Sequence, residues 1–225
     1  MRRLFILRPE PGATASAERA RELGLEPVVT PLFEVEPVDW DAPEAASFDG
    51  LLLTSANAVR HGGEDLGALR GLRTYAVGEA TAEAAREAGF DIASTGDAGL
   101  ERLLGSIEAD LKLLHLCGEQ RTEAGARQQI TPIVVYRSRE LPIPDDLREL
   151  GGQAAAVHSP RAGRRLAEAT EQLGIDRSTV RLAGISKAAA EATGEGWERC
   201  EAAETMDDSA LLALAARLCD KPDPE

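Results

Sequence analysis

Two strand-to-helix turns, 104 residues apart, constrain this chain more than anything else in it. Leu51-Leu52-Leu53-Thr54-Ser55-Ala56-Asn57-Ala58-Val59 and Ala154-Ala155-Ala156-Val157-His158-Ser159-Pro160-Arg161-Ala162-Gly163 each carry an apolar run into a hydroxyl and then directly into a helical pattern. The alignment sets Ser55 opposite Ser159. A second match pairs 74–85 with 181–192 at an offset near 105, and a third pairs 26–33 with 129–136 in the reverse sense. One unit therefore opens at the N-terminus, breaks after Thr30-Pro31 and resumes after Thr131-Pro132, with a complete second unit inside the gap. Chance likeness among Ala-rich helices is the alternative. Three matches in consistent order favour duplication.

The interleaving fixes a domain plan. Residues 1–33 plus 139–225 form a discontinuous domain, and 36–134 an inserted one. Segments 32–38 and 133–139 are the two crossings, both extended and bounded by prolines that block helix. Two adjacent extended crossings can pair as a short ladder and act as a hinge. Within each half, short apolar runs alternate with amphipathic Ala/Glu/Arg/Leu stretches, the pattern of parallel sheets covered by helices. Strands are expected at 3–8, 27–30, 50–54, 73–77, 90–94, 111–116, 131–136, 153–158, 180–185 and 199–203. Helices are expected at 13–23, 56–69, 79–88, 98–107, 120–128, 145–150, 161–173, 187–194 and 207–218. The fold class is α/β, two similar parallel-sheet domains with flavodoxin-like halves joined by a two-stranded β-ladder.

Charge narrows the partners. The chain of 225 residues holds 39 acids against 25 bases, a net −14. Phosphate binding needs a basic face, so a nucleic-acid partner is not expected. Only Lys112, Lys187 and Lys221 are lysines, so arginine supplies the cations, either for forked carboxylate recognition or through codon bias. Cys117, Cys200 and Cys219 have no metal or redox spacing and read as plain thiols in a reducing compartment. The opening MRRLFILRPEPG is too short in apolar residues for a signal core or membrane span and reads as a first strand. The expectation is a cytoplasmic protein with no membrane partner.

Ligands of open parallel sheets sit beyond the carboxyl ends of the strands, where helix N-termini point. Thr54, Ser55 and Asn57 stand at one such turn, Gly78 and Thr81 at another, and Ser159 and Ser186 at the equivalent turns of the other half. Backbone N–H groups and the helix dipole make such turns anion sites. Any one of these residues is adequately explained as an N-cap. The set together, facing one cleft, reads as a ligand site. No G-x-S-x-G elbow, phosphate loop, H-E-x-x-H or dinucleotide fingerprint is present. His61, His115 and His158 lack metal spacing; His115 and His158 read as neutral, packed side chains. No cofactor is expected.

The order LRPEPG, VVTPLFEVEP, FDGLLLTSANAV, YAVGEATAEAAREAGF, LHLCGEQR, ITPIVVYRS, AVHSPRAG, LAGISKAAAEA resembles the uroporphyrinogen-III synthase family over nearly the whole length. TSANAV and the V-x-x-Y crossing are its specific parts. The resemblance implies a HemD-like pair of α/β domains with the active site in the cleft between them. It also implies cofactor-free dehydration and cyclisation of the linear tetrapyrrole hydroxymethylbilane, with inversion of the last ring. It implies that Tyr136 is the weak acid at the leaving hydroxyl. The bland reading of Tyr136 is a hinge aromatic packed on Phe33. Carboxylate donors are expected among Arg8, Arg60, Arg137, Arg161 and Lys187, each alone also readable as a solvated surface charge. Ser186-Lys187 departs from the Thr-based pair usual after that glycine, and 118–130 is short for a full helix. The expected state is a monomer, with transient contact to the preceding pathway enzyme. The rivals are a non-catalytic two-domain binder of small anions and a regulatory protein of the same fold.

Overall fold

The computed structural model describes residues 2–96, 99–121 and 125–219. In chain order the first strands are β1 (Leu4–Ile6), β2 (Pro27–Val29), β3 (Phe33–Pro37), β4 (Gly50–Leu53), β5 (Thr74–Val77) and β6 (Ile92–Gly96). They are followed by β7 (Lys112–Gly118), β8 (Gln129–Glu140), β9 (Ala154–Val157), β10 (Arg181–Gly184) and β11 (Arg199–Ala202). The α-helices are α1 (Gly12–Glu22), α2 (Ala56–Arg60), α3 (Glu79–Glu87), α4 (Leu100–Ser106), α5 (Pro160–Leu173), α6 (Lys187–Glu191) and α7 (Asp208–Cys219). Every strand expected from the sequence is present. β3 is an addition, formed by the first of the two extended crossings.

The chain divides into two compact units. One takes Met1–Glu34 and Glu140–Glu225, the other Val35–Arg139. The first holds a sheet in the order β11-β10-β9-β1-β2, and the second a sheet in the order β6-β5-β4-β7-β8-β3. Read in those orders, β9 corresponds to β4, β10 to β5, β11 to β6, β1 to β7 and β2 to β8. Three of these pairs, β4 with β9, β5 with β10 and β2 with β8, are the ones that the sequence matches pair. β1, β2, β9, β10 and β11 run parallel to their neighbours, as do β4, β5, β6, β7 and β8.

Helices cover both faces, so both faces of a central strand are mainly apolar. The period-two alternation sends Leu4 and Ile6 into one apolar cluster and Phe5 and Leu7 into another. In the second unit Leu51, Leu53, Leu114 and Leu116 fill one face while Leu52 and Leu113 fill the other. Each fully buried Leu or Ile contributes about 1.5–3 kcal/mol from transfer out of water. This is why the strands read in the sequence as continuous apolar runs.

Three expected helices differ. The expected helix 56–69 breaks into α2 and a 3₁₀ segment, Glu64–Leu69. Gly62-Gly63 divides them: Gly63 has φ +67, and a Cβ on Gly62 would lie 2.7 Å from the Ala58 carbonyl oxygen. The stretch 145–150 is 3₁₀ rather than α. Across 120–128 no helix forms among the described residues, with 122–124 outside them. Gln128 accounts for part of this. Its carboxamide donates to the carbonyls of Leu104 at 2.9 Å and Glu108 at 2.8 Å, closing the end of α4. α7 starts as its acids suggest, with Asp207 accepting the Ala210 N–H at 2.8 Å.

Candidate functional site

In the sheet of the second unit the strand order reverses between β4 and β7. β4 leads outward to β5 and β6, while β7 leads the other way to β8. Such a switch point leaves a crevice at the carboxyl ends of the two strands. A cavity of about 290 Å³ lies there, lined by Thr54, Ser55, Val77, Leu100, Gly118, Gln120, Arg121 and Tyr136. Thr54 and Ser55 follow β4, Val77 ends β5, and Gly118, Gln120 and Arg121 come from the end of β7. Tyr136 reaches it from β8.

The side chains are held from beneath. Ser55 Oγ accepts the Asn57 N–H at 3.2 Å as N-cap of α2, so Asn57 contributes through its backbone. Thr54 Oγ1 lies 3.1 Å from Nε2 of His115, a residue buried in β7. The Tyr136 phenol lies over Gly118: a Cβ there would sit 2.7 Å from the ring and 3.0 Å from its hydroxyl oxygen. The His61 ring stands 6.4 Å from that of Tyr136, centroid to centroid. Gly78 is the N-cap of α3, with φ +80, and Thr81 is buried in that helix. Neither lines the cavity. The arrangement offers hydroxyl donors, a guanidinium and a phenol around one crevice, and no strong nucleophile in its lining. Among the described residues no set of three or more His, Cys, Asp or Glu is placed to hold a metal ion.

The chain matches the family described as uroporphyrinogen-III synthase HemD over residues 14–213. The chain belongs to the uroporphyrinogen-III synthase family. A stretch of 101 residues is 29% identical to the uroporphyrinogen-III synthase of Chlorobaculum parvum, covering 41% of this chain and 41% of that relative's length. Two crystal structures share the fold. The uroporphyrinogen-III synthetase of Helicobacter pylori aligns over 97% of this chain and 100% of that one, with TM-score 0.66 and 17% identity. A mutant uroporphyrinogen-III synthase of Thermus thermophilus aligns over 96% and 98%, with TM-score 0.52 and 20% identity.

For a member of the uroporphyrinogen-III synthase family, the other unit presents a contrasting picture at its own switch point, between β1 and β9. Asp208, at the start of α7, fills that place. Its Oδ1 accepts from His158 Nε2 at 2.9 Å, Ser16 Oγ at 2.8 Å and Arg8 Nη1 at 3.3 Å, and Arg19 reaches the other oxygen. Arg8 also donates to Ser16 Oγ at 3.2 Å. Ser159 and Ser186 cap α5 and α6, accepting from Ala162 and Ala189 at 3.1 and 3.2 Å. The Lys187 side chain is 85% exposed and pairs with Glu191 at 3.6 Å. Of the other arginines, Arg60 ends α2 and is exposed. Arg137 pairs with Glu36 at 2.6 Å. Arg161 lies over the Phe33 ring at 4.3 Å and beside Glu140 at 3.6 Å. Tyr136 and Phe33 belong to separate apolar clusters.

Of the residues singled out from the sequence, Thr54, Ser55 and Tyr136 come together at the crevice; Gly118, Gln120 and Arg121 line it as well, with His115 beside Thr54. The CGEQR string that closes β7 and runs past it carries the signal for Gly118, Gln120 and Arg121, because polar residues at a strand's carboxyl end are where a parallel sheet keeps its site.

Burial keeps the histidines of this synthase-family chain neutral. Desolvation pushes His115 down to about 4, with the nearby Arg121 charge acting in the same direction. Desolvation also lowers His158 and, with Arg60, His61. A lowered imidazole pKa means the unfolded chain binds protons that the folded chain refuses. Stability is therefore full above about pH 6.5 and falls as the solution is acidified. His115 alone accounts for roughly 3 kcal/mol between pH 6.5 and pH 4. Urea midpoints at pH 7 and pH 4.5 should differ accordingly, and His115→Gln should flatten the difference. Equal slopes for both proteins would remove His115 as the cause.

Proposed function

We propose that this chain carries out the reaction of its family, closing hydroxymethylbilane to uroporphyrinogen III with loss of water and inversion of ring D. The observation that carries the reading is the coincidence of two things. The family match spans both units, and the open switch-point crevice is lined by the residues of the family-specific TSANAV and V-x-x-Y strings.

Loss of the hydroxymethyl OH leaves an azafulvene that closes unaided to the symmetric isomer. Holding the chain so that the substituted carbon of the last pyrrole attacks first gives the spiro intermediate and the inverted ring. Positioning of this kind supplies large rate effects without a strong acid or base. Tyr136 donates the proton to the departing hydroxyl. Thr54 and Ser55 donate to substrate carboxylates, and Arg121 supplies forked charge at the same crevice. Asn57, Gly78 and Thr81 shape the neighbouring helix starts. On the other unit we assign Arg8, Ser159, Ser186 and Lys187 to the remaining carboxylates. Residues 1–33 with 139–225, and 36–134, are the two working domains, linked through 32–38 and 133–139. The chain acts as a cytoplasmic monomer without a cofactor, meeting the preceding pathway enzyme only in passing. Among the described residues no helix is long and apolar enough to cross a membrane.

The deciding experiment supplies freshly made hydroxymethylbilane and resolves the type I and type III isomers of the product. Type III in excess supports the reading; type I alone, at the spontaneous rate, overturns it and favours a binding or regulatory role. A second expectation follows from charge. The substrate carries eight carboxylates and the chain a net −14, so attraction must be local to the lining. The Debye length shrinks from about 10 Å at 0.1 M salt to about 3 Å at 1 M. KM should rise several-fold across that range, on the order of 1 kcal/mol of lost attraction. A KM indifferent to ionic strength would mean that charge plays no part in capture.

A further inference from the structure

We propose that His115, which does not line the crevice, sets the direction of the Thr54 hydroxyl by donating its Nε2–H to Thr54 Oγ1, so that Thr54 faces the substrate as a hydrogen-bond donor. The inference rests on the reading of the crevice given above. Its starting point is one contact, 3.1 Å between Thr54 Oγ1 and His115 Nε2. His115 is only 4% exposed and stands in β7 opposite Leu52 of β4, directly under the turn that carries Thr54.

A threonine hydroxyl has one proton to give and two lone pairs to receive with, and a neutral imidazole has one N–H and one bare nitrogen. Two arrangements follow. With the proton on Nδ1, Nε2 is an acceptor; the Thr54 O–H is spent on it, and only lone pairs point into the crevice. With the proton on Nε2, the imidazole donates, and the Thr54 O–H is left for whatever lies above. A carboxylate can only accept hydrogen bonds. The first arrangement repels it; the second receives it. Burial and the Arg121 charge both disfavour imidazolium, so His115 has a single N–H to place and the choice between tautomers is real. Arg121 and Thr54 line the same cavity. The buried histidine therefore fixes whether the hydroxyl works with the guanidinium or against it. The bland reading of a lone histidine in an apolar strand is a packed neutral side chain, and it makes no demand on which nitrogen carries the proton.

The test has a spectroscopic and a kinetic arm, both on the full chain. Nitrogen-15 spectra of the His115 imidazole should show a protonated Nε2 and a bare Nδ1; the opposite tautomer overturns the inference. His115→Leu should raise KM for hydroxymethylbilane about tenfold, the range for a hydrogen bond to a charged group, with kcat within about twofold. Thr54→Val should give the same KM, and the double variant should add nothing further. His115→Gln, whose carboxamide N–H can occupy the Nε2 position, should restore KM to within about threefold. A merely structural histidine would tie KM to the stability of each variant instead. Should His115→Leu fail to fold, the tautomer and the His115→Gln value still decide. If Thr54→Val raises KM and His115→Leu does not, this inference falls and the crevice reading stands. If Thr54→Val leaves KM unchanged, the crevice reading fails and takes the inference with it.

Discussion

Tyr136→Phe lowers kcat for hydroxymethylbilane roughly a hundredfold and leaves KM within about threefold, as expected when a proton donor is lost and a ring is kept. The ring itself is well seated: Tyr136 packs against the apolar cluster that contains Leu116 and Val135, and phenylalanine preserves that contact. What disappears is the hydroxyl of Tyr136, the one residue of β8 that lines the crevice. A paired substitution sharpens the test. In Gly118→Ala the new methyl would stand 2.7 Å from two ring carbons of Tyr136. A contact that short forces the ring to shift. Because positioning to within about 1 Å governs such reactions, Gly118→Ala should lose much of the same kcat with Tyr136 still present. Type III product formed at the parental rate by Tyr136→Phe would remove the phenol from the reaction. Loss in Gly118→Ala alone would then point to the shape of the crevice rather than to its acid.

Asp208→Ala has the largest expected effect on stability, about 3 kcal/mol, the range for removing one partner from a buried charge cluster. The carboxylate side chain is 14% exposed. Burial by itself would raise its pKa. Hydrogen bonds from His158 and Ser16, with the Arg8 charge, outweigh that and hold it well below the usual carboxylate range. Removing it leaves Arg8 and Arg19 facing each other across a partly buried space without their shared anion, and leaves His158 Nε2 without its acceptor. The sign with pH is the same as for the histidines: a depressed carboxyl pKa gives stability that is present above about pH 4 and lost on further acidification. A thermal midpoint about 10 °C lower than the parent is the expected reading. Lys187→Ala, which breaks an exposed i,i+4 pair with Glu191, should shift it by no more than about 1 °C. A parental midpoint for Asp208→Ala would mean that the cluster contributes nothing net.

The strands were legible because the physics leaves them no choice. A strand covered by helices on both sides is apolar at nearly every position, and Leu51-Leu52-Leu53 and Leu113-Leu114 can be little else. The strand order was not legible in the sequence; the repeat shows only that β4 and β9, β5 and β10, and β2 and β8 are counterparts. Helix ends were harder. Residues 56–69 keep apolar residues at helical spacing, yet Gly62-Gly63 interrupts them, Gly63 with φ +67, and α2 ends at Arg60 after a turn and a half. At the described end of 120–128 tertiary contact competes with helix: Gln128 is committed to carbonyls at the end of α4, and β8 begins at the next residue. Reading that stretch as a helix drew attention away from Gln120 and Arg121, which line the crevice. His115 was hidden differently, since a histidine inside an apolar strand looks like packing until its partner on the next strand is known.

Biosynthesis meets this topology in a fixed order. The inserted unit is contiguous, Val35–Arg139, and can close as soon as β8 has left the ribosome. The other unit begins first and finishes last. Its strand β1, with Leu4, Phe5 and Ile6 destined for full burial, is flanked by β2 and β9. β2 follows it closely, but Ala154–Val157 is made about 150 residues after β1, which at about 5–20 residues per second is a wait of roughly 7–30 s. Throughout that interval one side of β1 presents unpaired backbone to the surrounding medium, the kind of open edge through which nascent chains associate. A fold that interleaves its halves therefore leans on chaperones, or on slow expression, in proportion to the length of the insert.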